Sequence, residues 1–207
     1  MKLLSCLWVF SALLSPAFAE EPPAFQEKAV TLETVKMLRN GGYVIYMRHG
    51  NTDTSRPDRV PKVDLNDCST QRPLTEEGRK VAAQVGEAIR KLKIPVGEVH
   101  SSPMCRAKES AQAAFGNGIT IDNNLMYTSN LTDEEKNPII QQTRALLSKP
   151  APEGSNRVVV AHAPNLMDLM GYFPKLEATV AIFRPGGEKG FEYLGSIPPA
   201  QWQQFLK

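Results

Sequence analysis

The sequence predicts an α/β fold of three layers, with a mainly parallel central sheet and helices on both faces. Three observations carry this expectation. Residues 43–47, Tyr-Val-Ile-Tyr-Met, and residues 158–161, Val-Val-Val-Ala, are short continuous apolar runs, the pattern of strands buried on both faces. Strand-like and helix-like segments alternate along the chain, as in proteins with a parallel sheet. The chain has 207 residues, of which 42% are hydrophobic and 22% charged, enough for one sizeable core rather than a disordered segment.

The elements follow in order. Leu32, Val35 and Leu38 recur at helical spacing, and Gly41-Gly42 ends that helix. The run at 43–47 is the first buried strand, with Arg48-His49-Gly50 directly after it. Residues 51–72 are polar and Pro-punctuated, a long surface loop of the length that usually carries function. Thr75 is an N-cap for a helix whose apolar face includes Val81, Val85, Ile89 and Leu92. Pro95 breaks it. A strand over 96–101 comes next, then Pro103 as an early residue of a helix running from 105 to 115. A short strand near 119–121, a helix near 133–147 and a connector over 150–154 precede the second buried strand at 157–161, where His162 again stands at the end. Residues 164–170 read as a short helix, and 177–183 with 190–194 as a closing hairpin around Pro185-Gly186-Gly187. Trp202 and Phe205 dock a short terminal helix.

The amino-terminal residues are expected to lie outside this fold. Lys2, the apolar stretch 3–14 and the small residues Ala17 and Ala19 form a signal-peptide pattern cleaved before Glu20. The expected organisation is a signal peptide over 1–19 and a single domain over 20–207, periplasmic or secreted, with no stable membrane span after cleavage. Cys68 and Cys105 then remain in an oxidising compartment. An even count fits one bridge, and two unpaired thiols are the other reading. The formal net charge is only +2 and no long basic run is present, so charge gives no support to a nucleic-acid partner.

In open parallel sheets, ligands bind outside the carboxyl ends of the strands. His49, Arg106 and His162 all fall at those ends or just after them. A phosphate monoester dianion needs charge compensation on its oxygens and a nucleophile in line with the leaving oxygen. Arginine supplies the first with a planar, permanently charged fork. A neutral imidazole nitrogen supplies the second. Arg48, His49, Arg106 and His162 provide these parts without a metal. Singly each is weak: Arg106, for example, could be a helix-surface residue paired with Glu109. His100 is read as a strand-end residue, since no pair of histidines has the spacing of a familiar metal motif.

The segment Val44-Ile45-Tyr46-Met47-Arg48-His49-Gly50-Asn51-Thr52-Asp53 resembles the signature of the histidine phosphatase superfamily, which includes the phosphoglycerate mutases. Arg72-Pro73-Leu74-Thr75-Glu76-Glu77-Gly78, residues 99–111 around Arg106, and residues 158–166 around His162 resemble its later motifs, in the right order. The resemblance implies a phosphoglycerate mutase-like fold and a phosphatase in which His49 accepts the phosphoryl group while Arg48, Arg106 and His162 hold its oxygens, His162 becoming cationic when phosphate is bound. It implies no metal and no organic cofactor. The partner implied is a small phosphorylated molecule or an envelope-glycan phosphate.

The sequence departs from the family pattern at Ala163, where a glycine is common and where some branches place an acidic residue. Glu177 resembles an acidic position found after the second histidine in small exported relatives and is the first choice for the proton donor. An exposed strand-edge glutamate is the competing reading. Asp122 and the Asp133-Glu134-Glu135 run are weaker candidates, the run reading as a solvated helix start. Asp53 and Arg56 read as plain loop residues. Two other functions remain open at this point: a non-catalytic phospholigand-binding protein, and a phosphomutase on the same fold, which export disfavours.

Overall fold

The computed structural model describes residues 24–207, so the expected signal peptide over 1–19 lies outside the described residues. Helix α1 (Leu32–Leu38) starts at Thr31, whose hydroxyl accepts from the Thr34 N–H, and is followed by β1 (Val44–Arg48). Then come α2 (Glu76–Lys91), β2 (Val96–Ser101), α3 (Cys105–Phe115), β3 (Ile119–Ile121) and α4 (Asp133–Ser148). The chain finishes with β4 (Asn156–Ala161), α5 (Ala163–Met170), the hairpin β5 (Val180–Pro185) and β6 (Phe191–Ile197), and a 3-10 turn over Pro199–Phe205 that buries Trp202 and Phe205.

The strands form one sheet in the order β3-β2-β4-β1-β5-β6. The first four in that order run parallel, β5 is antiparallel to β1, and β6, antiparallel to β5, runs in the direction of the first four again. Residues alternate between faces as the pleat requires. Ile45, Met47, Val158, Val160, Val180 and Ile182 pack on one side against α1, α2, α3 and Trp202. Val44, Tyr46, Val159, Ala161, Ala181 and Phe183 pack on the other against α4 and α5. The continuous apolar runs of β1 and β4 are thus consumed by two cores, one on each face.

Several expected boundaries shift, β6 running to Ile197 rather than ending at 194. Met104, in extended conformation, is the residue before α3, so Pro103 lies outside the helix rather than in its first turn. The hairpin begins at Val180 rather than at 177, because Ala178 takes a positive φ of 58° and donates its N–H to the carbonyl of His49. That contact holds Glu177 in the turn ahead of β5, not along its edge. Asp133-Glu134-Glu135 is the first turn of α4, closed by a capping box between Thr132 and Glu135.

Cys68 and Cys105 are joined in a disulfide, with 5.8 Å between their Cα atoms. The bridge fastens the 51–72 loop to the start of α3. Gln71 reinforces it: its Oε1 accepts from the Cys105 N–H and its Nε2 donates to the Asp64 carbonyl. Gly50 and Gly78 meet where the same loop leaves β1. A Cβ on Gly78 would lie 2.1 Å from the Asn51 carbonyl oxygen, and one on Gly50 2.3 Å from that of Gly78. Only glycine permits this approach of α2 to the strand end.

Candidate active site

β1 and β4 are adjacent and parallel, with Arg48 opposite Ala161, so the residues that follow both strands share one edge of the sheet. His49 and His162 stand there with ring centroids 5.2 Å apart. Both are buried. The His49 backbone is fixed on two sides, its N–H donating to the Ala161 carbonyl and its carbonyl accepting from Ala178. Nδ1 of His49 lies 2.8 Å from the Gly50 carbonyl. A carbonyl only accepts, so the hydrogen sits on Nδ1 and Nε2 keeps a bare lone pair. Burial, with the positive charge of Arg106 and then of Arg48 and Arg72, outweighs the Gly50 contact and pushes the His49 pKa well below the usual histidine range. The ring is neutral at neutral pH.

His162 is lowered in the same way, by burial first and then by Arg106. Its Nε2 lies 2.8 Å from the Ser102 hydroxyl, which also accepts from the Met104 N–H. The hydroxyl hydrogen has no other acceptor among the described residues, so it is assigned to Nε2, which places the imidazole hydrogen on Nδ1, the nitrogen without a protein partner. The backbone of His162 is held by Tyr46, whose hydroxyl donates to its carbonyl at 2.8 Å.

Three arginines surround the two rings. Arg106, on the first turn of α3, is fully buried, with its guanidinium over the Tyr127 ring at 5.0 Å and Nη1 on Asp58 Oδ1 at 2.9 Å. Its partner is thus Asp58 and not Glu109, which instead pairs with Arg79. Arg48 donates through Nη1 to the carbonyls of Pro174 and Lys175 and through Nη2 to Glu177 at 3.3 Å. Arg72 bears electrostatically on His49, His162, Arg48 and Arg106 alike. Buried donors on all three lack a partner: Nε of Arg48, Nε of Arg72, and Nε and Nη2 of Arg106. Unpaired buried donors are costly unless a ligand satisfies them. With Nδ1 of His162 they form a set of donors suited to a tetrahedral oxyanion. The same density of positive charge is hostile to a metal cation, and no group of three or more His, Cys, Asp or Glu side chains poised to hold one occurs among the described residues.

Glu177, the expected proton donor, reaches this site. Its Oε1 accepts from Arg48 and, at 3.1 Å, from the Thr52 hydroxyl, and its side chain is 17% exposed. The strand-edge reading fails. Asp53 accepts from Ser55 in a loop turn, as expected of a plain loop residue. Asp122 caps a 3-10 turn and binds Gln142. His100 pairs with Glu98 on β2.

Sequence reasoning missed Asp58, Tyr127, Ser102 and Ser110. Ser110 accepts from the Gly50 N–H and donates to the Arg106 carbonyl, tying the loop after His49 to α3. Arg72 had a signal, its place at the head of the second motif. Asp58 had none, being one carboxylate in a polar loop.

The histidine phosphatase superfamily (branch 1) profile matches residues 44–136. Among solved structures, the protein histidine phosphatase SixA complexed with tungstate aligns with a TM-score of 0.52 at 16% identity, over 76% of this chain and 97% of its own. The ecdysone phosphate phosphatase from Bombix mori, also with tungstate, aligns at 0.51 and 16% over 76% and 93%. A mycobacterial glucosyl-3-phosphoglycerate phosphatase with VO3 aligns at 0.51 and 17% over 74% and 97%. At these identities the likeness is one of fold. No curated protein sequence matches the chain.

Proposed function

Because residues 44–136 carry the histidine phosphatase superfamily profile and the described chain has its fold, we propose that this protein is an exported phosphohydrolase that cleaves phosphate monoesters through a phosphohistidine on His49. The observation that carries the reading is the bare Nε2 of His49, set among unpartnered arginine donors. In the first step Nε2 attacks phosphorus, the bond from phosphorus to the ester oxygen breaks, and Glu177 gives that oxygen its proton. In the second, water attacks the phosphoryl group, Glu177 takes a proton from the water, and the phosphorus–nitrogen bond breaks. Glu177 is protonated again and His49 is neutral, so the cycle closes. Arg48, Arg106, Arg72 and Nδ1 of His162 hold the oxygens throughout.

Every group in this scheme belongs to the chain, so the mechanism requires no metal. Export rests on the signal-peptide pattern over residues 1–19, and it points to a small phosphorylated molecule or an envelope-glycan phosphate as substrate. No helix among the described residues is long and apolar enough to cross a membrane. The test is release of phosphate from an aryl phosphate with a chelator present, in the mature protein and in His49→Ala, together with alkaline trapping of labelled phosphohistidine. Turnover and label in the parent, both absent from the variant, are expected. Undiminished turnover in the variant would overturn the mechanism.

A further inference from the structure

Two cavities open beside the arginine cluster, and both are walled by Asp58, Tyr127 and Asn130. One, of about 280 Å³, is completed by Thr54, Pro57 and Arg72. The other, of about 220 Å³, continues past Arg59, Lys62 and Leu131. Because Arg72 lines the first and Asp58 and Tyr127 both touch Arg106, this cleft begins at the oxyanion donors. A further cavity of about 440 Å³ borders Glu177, but none of the three arginines lines it.

The cleft wall mixes charged and apolar groups: Arg59, Lys62 and Arg72 stand with Asp58 and Glu135, Thr54 and Asn130 add neutral hydrogen-bonding groups, and Val63, Met104, Met126 and Leu131 extend the apolar surface of the Tyr127 ring. Both hydrogen bonds of Asp58 fall on Oδ1, one from Arg106 and one from the Arg72 N–H. Its Oδ2 has no hydrogen-bond partner among the described residues, and the residue lines both cavities. A carboxylate there accepts a hydrogen bond from a hydroxyl on a substrate carbon one or two bonds beyond the ester carbon. It repels a carboxylate or a second phosphate in the same place, where burial weakens screening.

We propose that this cleft is the leaving-group subsite and that Asp58 makes it select neutral, polyhydroxylated leaving groups, as in sugar and polyol phosphates, over those bearing a second anion beside the ester. The inference rests on the phosphatase reading above and gives it a substrate class. It supplies a physical ground, independent of export, for disfavouring phosphoglycerates.

A matched pair of substrates tests it. Glycerol 3-phosphate and 3-phosphoglycerate share a skeleton and differ in a hydroxymethyl group against a carboxylate. In the parent protein kcat/KM should favour glycerol 3-phosphate at least tenfold. In Asp58→Asn the ratio should fall toward one, with kcat/KM for 3-phosphoglycerate rising in absolute terms, a gain that damage to the fold or to Arg106 does not produce. In a second variant, Asn130→Phe, which fills the cleft from its exposed rim, glycerol 3-phosphate should lose at least tenfold while acetyl phosphate, whose leaving group is small, stays within about twofold. A parent preference for 3-phosphoglycerate, an unchanged ratio in Asp58→Asn, or hydrolysis of an aryl phosphate with neither glycerol derivative turned over would overturn the subsite and leave the phosphatase reading standing. No hydrolysis of any of these esters would overturn both.

Discussion

The hydroxyl of Ser102 lies 2.8 Å from Nε2 of His162, and both side chains are fully buried. This pair decides which imidazole nitrogen carries the hydrogen facing the phosphoryl site. Ser102→Ala leaves Nε2 buried without a partner, a loss of about 1–3 kcal/mol in stability. It also frees the tautomer, so KM for an aryl phosphate should rise more than urea stability alone accounts for. Steady-state kinetics beside a denaturation curve separate the two effects.

In the proposed mechanism His49 attacks only when neutral, and its surroundings hold its pKa well below the usual range. The acidic limb of kcat/KM should therefore lie below about pH 6.5, the ordinary histidine value. Arg72→Met removes one of the charges responsible and should move that limb upward. A limb that stays in place would show that Arg72 does not act on the nucleophile.

The same depression governs stability. The unfolded chain protonates its histidines near pH 6.5, while buried His49 and His162 remain neutral to lower pH. Unfolding then takes up protons below about pH 6.5, so stability is full above that value and declines as pH falls. The slope is at most about 1.4 kcal/mol per pH unit for each histidine. Urea midpoints between pH 7.5 and 5.5 should show it, and His49→Gln should make it shallower.

The disulfide closes a separation of 37 residues. Its removal by Cys68→Ser with Cys105→Ser should cost about 2–4 kcal/mol. Activity should fall further than stability requires, because Asp58 and Arg72 lie on the released loop. Kinetics at a temperature where the variant is still folded check this.

Glu177→Gln cannot protonate the leaving oxygen. Esters of strongly acidic phenols need little help, so their hydrolysis should persist at a reduced rate while alkyl phosphates lose 10²-fold or more. Equal losses on both would make Glu177 a holder of Arg48 rather than a donor.

Much of this was legible in the sequence, and the reason is local. The runs in β1 and β4 announce strands buried twice over, and the residues that follow such strands share an edge whatever the loops do. His49 and His162 could thus be paired from order alone. Thr75 caps its helix through a contact three residues long. Asp58 and Tyr127 were not legible, because each reaches Arg106 across a long separation through loops with no periodicity. The hairpin boundary was missed for the same reason: the bond from Ala178 to His49 that delays β5 spans 129 residues (178 − 49).

The charges around the two histidines have one more consequence. Arg48, Arg72 and Arg106 face only Asp58 and Glu177, so the resting pocket holds a single surplus positive charge against neutral rings. A phosphate dianion overshoots it by one. If His162 takes up a proton as the dianion binds, ligand capture becomes proton uptake. Calorimetric titration of phosphate in buffers of different ionisation heat would read that proton directly.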